Sequence, residues 1–274
     1  MSAGTRLVVA LGGRLEPRPR RARGVARRVL PPLAVGVVLI GAWELYVALS
    51  GVSLQIVPGP GDVASALVRD RSVLLSGAGT TLEEIALGYA IAAVVGIGLA
   101  VALSSWRIVE RALYPWLVVS QVIPLPALAP ILVLWTGFDV RPKLIVVALV
   151  SFFPIAVNAI DGLRATDPEL VGLLRTLGAS RRQVFTIARV PTALPYLFSG
   201  LRVAAAFAVT GAVFAEWVGS TGVGLGYLIL SYGNQTATAD VFAVVVVLAL
   251  IGVALFALVG LAERVAVPWW RASE

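Results

Sequence analysis

The chain contains no cysteine and no histidine, and among its 274 residues lysine occurs once, at Lys143. Those absences together remove thiol nucleophiles, disulfides, structural zinc and imidazole acid–base chemistry. No G-x-x-x-x-G-K-[ST] run is present, and Lys143 lies between Pro142 and Leu144, so the chain has no P-loop. Charge is scarce too, at 14% of residues against 59% hydrophobic, with a mean hydropathy of +0.93. Soluble domains carry about 25% charged and roughly 45–50% apolar residues, so this composition belongs to a membrane protein.

A hydrocarbon core takes about 20 mostly apolar residues per helix. Six runs meet that length: 33–49, 85–103, 112–135, 144–160, 196–217 and 241–262. The expected fold is therefore all-α, a polytopic integral membrane protein of six transmembrane helices. A basic tail spans 1–30 and a transmembrane domain 31–270. The fifth run carries Arg202 and ends at Glu216. Both are expected near an interface, with Arg202 snorkelling to reach it.

Basic residues flanking the runs orient the chain. With the N-terminus inside, eight arginines precede the first run, two lie within 104–111, five within 164–194 and two after the last, against Arg69, Arg71, Arg141 and Lys143 outside. Both termini are thus expected in the cytoplasm of a multi-pass protein of the inner, cytoplasmic membrane. Reading 14–50 as a cleaved signal peptide would leave five spans and put the basic loops on the wrong side, so cleavage is not expected. The net charge of +7 then reflects topology and anionic lipid contact rather than nucleic-acid binding.

The longest inside loop, 164–194, has explicit local grammar. Thr166 or Asp167 can cap a helix starting at Pro168, with Glu169 in its first turn. Leu170, Leu173, Leu174 and Leu177 recur at i, i+3, i+4 and i+7 as one apolar stripe. Gly178 is placed to end that helix in the left-handed conformation. Ser180 and Gln183 form a capping box for a second short helix, begun by Arg181 and Arg182 and stopped by Pro191. Two arginines at a helix start oppose the macrodipole, so local stability does not account for them. Anchoring to anionic headgroups and docking of the leucine stripe to a partner both remain open.

Within the runs, Pro124, Pro126 and Pro130 interrupt the third, and such breaks persist where protein or a cavity satisfies the freed carbonyls. They mark either a pore-facing kinked helix or a packing kink. Asn158, beside Pro154 in the fourth, offers a pore-facing amide or an interhelical hydrogen bond. Glu216 precedes the loop glycines 219, 222, 224 and 226, whose amides it could accept as an outer gate. A plain interfacial carboxylate is the other reading. With only scattered acids such as Asp161 and Glu216, no catalytic or metal constellation is expected.

The hinged loop, with Pro191 thirteen residues after Gly178, resembles the cytoplasmic coupling loop of permease subunits of binding-protein-dependent ABC importers. "TLEEIALGYAIAAVVGIGLAVAL", "VSQVIPLPALAPILVLWTGF", "FFPIAVNAIDGLRATDPEL", "LPYLFSGLRVA" and "EWVGSTGVGLGYLI" resemble the nitrate/sulfonate/taurine-type branch in order and spacing, over about 57–270. The run through "GLGYLI" is most similar to permeases for hydroxymethylpyrimidine, the thiamine precursor. The resemblance implies a homodimeric pathway, two cytoplasmic ABC ATPase subunits and an extracytoplasmic substrate-binding protein. It also implies that ATP and magnesium are bound by the ATPase and no cofactor by this chain, which is not itself an enzyme. ATPase docking falls to Glu169, Leu173, Leu174, Arg175, Thr176, Leu177, Gly178, Ala179, Ser180, Arg181 and Arg182, and the translocation pathway or gate to Pro124, Pro126, Pro130, Asn158 and Glu216.

This chain departs from the family's usual Glu-Ala-Ala, having Gly172, Leu173 and Leu174 there, and leaves Glu169, one turn earlier, as the available carboxylate. The implied substrate is a pyrimidine thiamine precursor, with nitrate, sulfonate or taurine next. The alternative is a proton-coupled secondary transporter, which needs intramembrane acid–base pairs. The charges here are expected at span ends instead.

Overall fold

A computed structural model describes residues 21–105, 112, 114–117, 119, 122, 124–219 and 222–269. The chain divides into two units, 1–52 and 53–274. In the first, α1 (Arg21–Ser50) begins within the stretch expected as tail, and from Leu30 on it exposes apolar residues on every side, among them Leu33, Val35, Val38, Leu39 and Ile40. A helix apolar all round is suited to lipid.

The second unit runs through α2 (Pro60–Arg69), α3 (Arg71–Ser105), α4 (Leu125–Thr136), α5 (Val140–Arg164), α6 (Pro168–Thr176), α7 (Arg181–Val184), a π turn (Phe185–Arg189), α8 (Val190–Gly219), α9 (Leu225–Asn234) and α10 (Thr238–Ala266). There is no strand among the described residues. Five helical runs are long and apolar enough to cross a membrane, and they contain five of the six expected spans. The third expected span, 112–135, is not one such helix. It is helical at 112, 114–117 and 119, turns at 122, and restarts as α4 after an extended Pro124. Pro124 caps the restart in extended conformation and Pro126 lies in the first turn, where its missing N–H leaves no helical bond unmade.

The helix α5 is the axis of the unit, packed most extensively against α8 and α3. Small residues allow that approach. Gly200, Ala204, Ala208, Ala212 and Glu216 recur every fourth position along α8 and are all buried, and because that spacing drifts about 40° a step the series turns from α5 at Gly200, through α5 and α3 at Ala204, Ala208 and Ala212, to α3 and α9 at Glu216. Around it pack Ile85 and Val147 near one end, Ala92 and Ile155 in the middle, and Leu103, Ile160 and Leu163 near the other.

One close crossing is at Gly200, where a Cβ would lie 2.6 Å from the Pro154 carbonyl oxygen and 2.7 Å from Asn158 Cβ. Gly200→Ala is therefore expected to destabilise by about 1–3 kcal/mol through overpacking. Gly98→Ala, where a Cβ meets nothing within 4 Å, should not. Thermal unfolding midpoints of the two detergent-purified variants check this, and equal midpoints would contradict the crossing.

Candidate functional site

The 164–194 loop is a hinged pair of helices, and the local signals in its sequence account for most of its geometry. Asp167 accepts from Glu169 N at 2.8 Å and caps α6. At the other end Gly178 takes φ +86, Gly178 N donates to Arg175 O at 3.0 Å, and Ala179 N donates to Leu174 O at 2.9 Å. Those two bonds satisfy the last carbonyls of α6 in a complete Schellman turn. The Ser180–Gln183 capping box closes reciprocally, at 3.3 Å for Gln183 N to Ser180 Oγ and 2.8 Å for Ser180 N to Gln183 Oε1.

What the hinge presents is unpartnered. Leu170, Leu173 and Leu177 are exposed, Leu177 to 75%, and no residue of α6 is buried. Glu169, Arg175, Thr176, Arg181 and Arg182 are exposed beside them, with Leu174 and Ala179 half-buried. The residues expected to dock a partner thus all lie exposed or half-buried along the hinge.

Pro191 does not stop the second helix. The chain is helical without a break over 181–219. The reason is the π turn, in which Val190 N donates to Phe185 O, five residues back. The widened turn relieves the clash that a proline ring makes with the carbonyl four residues back.

At the opposite end of α5 and α8 lies a buried polar cluster. Glu216 is 1% exposed. Its Oε1 accepts from Thr81 Oγ1 at 2.6 Å, and its Oε2 accepts from Gly226 N at 2.5 Å and Tyr227 N at 3.3 Å. Thr81 Oγ1 in turn accepts from Leu225 N at 2.9 Å. The first three amides of α9, free of intrahelical partners by position, are thereby capped from α3 and α8.

The glycines leave the room this needs. Gly222 and Gly224 take φ +109 and +115. A Cβ at Gly224 would overlap the Glu216 carboxylate, and one at Gly226 would lie 2.7 Å from Val213 O. One turn from Thr81, Glu84 accepts from Lys143 Nζ at 2.7 Å, with the residues 2% and 7% exposed, while Glu84 Oε2 has no hydrogen-bond partner. At the same end, Arg69 on α2 pairs with Asp70 and with Asp240 on α10. Hydrogen bonding to Asp70, then the charge of Asp240, holds the Arg69 guanidinium above its ordinary range.

Three expectations are corrected by this arrangement. Lys143 is a buried ion-pair partner within α5 rather than a loop cation. Glu216 is buried and accepts amides at the start of α9, the first of its two readings, rather than standing exposed as a plain interfacial carboxylate. Arg202 does not snorkel free: it pairs with Glu263 on α10 and lies 5.7 Å over the Phe256 ring.

The other pathway residues are dispersed. Pro124 is the exposed N-cap of α4 and Pro130 lies exposed within it, while Pro126 is in its first turn, its side chain outside the described residues. Asn158 Nδ2 donates to Pro154 O at 2.8 Å, which engages its amide within α5. It faces Gly200, about 24 Å along α8 from Glu216 at 1.5 Å per residue. Thr81, Glu84 and Lys143 were not singled out from sequence. The available signal was one carboxylate, Glu84, at the edge of a long apolar run in a chain with a single lysine.

With the geometry established, the comparisons with known proteins are specific. The family "binding-protein-dependent transport system inner membrane component" matches residues 72–271. The formylaminopyrimidine transport permease protein ThiX of Halalkalibacterium halodurans is 37% identical over 243 residues, 88% of this chain and 96% of that one. The riboflavin transport system permease protein RibX of Chloroflexus aurantiacus is 36% identical over 254 residues, covering 91% and 94%. A putative aliphatic sulfonates transport permease protein, SsuC of Bacillus subtilis, is 29% identical over 247 residues, covering 88% of each. Among solved structures, an amino acid ABC transporter with histidines shares the fold, at TM-score 0.55 and 18% identity, covering 72% of this chain and 96% of that one.

Proposed function

Because this chain belongs to the inner membrane components of binding-protein-dependent transport systems, the permeases of ABC importers, we propose that it moves a small nutrient by alternating access under the drive of a separate ATPase. The observation that carries this reading is mechanical continuity. One uninterrupted helical run, 181–219, joins the exposed leucine hinge to buried Glu216, whose carboxylate holds the 222–227 loop at the other end. A push on the hinge is thereby delivered, through a rigid element, to the far end of the bundle.

In this reading the hinge lies in the cytoplasm with both termini, as the charge distribution requires, and two ATPase subunits supply the ATP hydrolysis for which this chain has no P-loop. An extracytoplasmic binding protein delivers the solute to the Glu216 end, and two copies of the chain enclose the pathway. ThiX and RibX support a heteroaromatic solute, a pyrimidine thiamine precursor first, and SsuC supports a sulfonate. Family membership places the chain with ATP-driven importers rather than proton-coupled carriers.

Gly178→Pro tests the lever, since proline is fixed near φ −65° and cannot occupy φ +86. Expected is loss of ATP-dependent uptake and of ATPase co-purification. Leu177→Glu, at a position 75% exposed, should lose both without altering thermal stability. Normal uptake by both variants would refute the lever.

A further inference from the structure

Between the end of α8 and α9 lies a cavity of about 380 Å³, within the range of small-molecule sites. Its composition differs from the grooves between Ile91 and Phe152 and between Ile97 and Leu197, which are walled by hydrocarbon. Here the lining is Glu216, Trp217, Tyr227, Leu230, Ser231, Asn234 and Gln235.

The aromatic wall is held in place. Trp217 packs edge-on against Phe214 at 5.1 Å and 80°, leaving the indole 39% exposed. Gln235 Nε2 is tied to Ser231, at 3.1 Å to its carbonyl and 3.3 Å to its hydroxyl. The Asn234 side chain makes no hydrogen bond within the described residues and keeps its donor and acceptor pair available.

The charge lining is as informative. No lysine or arginine lines the cavity, Lys143 is committed to Glu84, and the one ionisable acid is Glu216. An anion would meet a carboxylate and no cation. A planar ring would meet an indole face, and an amino group beside a ring nitrogen matches the paired donor and acceptor of an asparagine amide, the geometry by which asparagine reads adenine.

We propose that this cavity is a docking station for the solute, selecting an uncharged aromatic heterocycle with an amino group beside a ring nitrogen, and rejecting sulfonates and nitrate. The inference rests on the importer reading and deepens it by naming the substrate class and the residues that choose it. Trp217 supplies the stacking face, and Asn234 and Gln235 pair with the ring edge. Because Tyr227 N and Gly226 N bond Glu216, occupancy of the cavity and closure of the 222–227 loop share one element.

The test uses the full chain in lipid nanodiscs with radiolabelled cytosine as probe and ethanesulfonate as competitor. Expected is saturable cytosine binding that excess ethanesulfonate leaves unchanged. Asn234→Ala and Trp217→Leu should each weaken it at least tenfold, Trp217→Phe should retain it, and thermal midpoints should stay unmoved. Absence of saturable binding, wild-type affinity in Asn234→Ala and Trp217→Leu, or competition by ethanesulfonate overturns the proposal. ATP-driven accumulation in vesicles carrying the permease with its ATPase and binding protein separates the two claims. Accumulation of ethanesulfonate under ATP would sustain import and sink the cavity's selectivity, whereas uptake of every probe without ATP would sink import itself.

Discussion

Lys143→Met is expected to cost the protein about 3–5 kcal/mol, enough to aggregate it on extraction from the membrane. The ammonium lies 2.7 Å from Glu84 Oε1, and both residues are buried. Removing it leaves a carboxylate at 2% exposure without its cation, its second oxygen making no hydrogen bond among the described residues. The cost lies in the orphaned charge rather than in the lost attraction, so the double variant Glu84→Gln, Lys143→Met should recover most of the stability. Size-exclusion profiles and thermal midpoints of the two variants decide the matter. A monodisperse, wild-type-like Lys143→Met would show that the pair contributes nothing.

Glu216→Ala is expected to abolish transport while leaving the ATPase docking proposed for the 164–194 hinge intact. The substitution strips the acceptor from Thr81 Oγ1, Gly226 N and Tyr227 N at once. A buried donor left unsatisfied costs about 1–3 kcal/mol, so the loop is released although α8 still packs on α5. Since the chain has no cysteine, a single Val223→Cys reports on the loop directly. Maleimide labelling there should accelerate at least tenfold in the Glu216→Ala background, and uptake should fall at least tenfold. Unchanged labelling together with normal uptake would remove Glu216 from any gating role.

The hinge was legible in the sequence because its determinants are local. Asp167, Gly178, Ser180 and Gln183 act on backbone groups within a few positions of themselves, and each does in the structure what its spacing indicated. The spans were legible from apolar length, except where Pro124 and Pro126 split the third. The buried cluster and the Arg202–Glu263 pair were not legible, because the partners are far apart in sequence: 59 positions separate Glu84 from Lys143, 135 separate Thr81 from Glu216 and 61 separate Arg202 from Glu263. Pairwise distance in a bundle is set by packing, and no periodicity along one segment encodes it. One clue was present. The every-fourth-residue series Gly200, Ala204, Ala208 and Ala212 leads to Glu216, which placed that acid against another helix. Pro191 misled for the converse reason, since a π turn tolerates a proline that an α turn does not.

That π turn also sets an azimuth. Each residue in an α-helix advances the chain by about 100°, and a π turn takes up one surplus residue within nearly the same rotation, so the widening at 185–189 keeps the leucine hinge in phase with the run that follows it. The direction in which Leu173 and Leu177 point is therefore set by how that residue is wound: the same chain closed as an unbroken α turn over 185–189 would aim the hinge roughly 100° elsewhere.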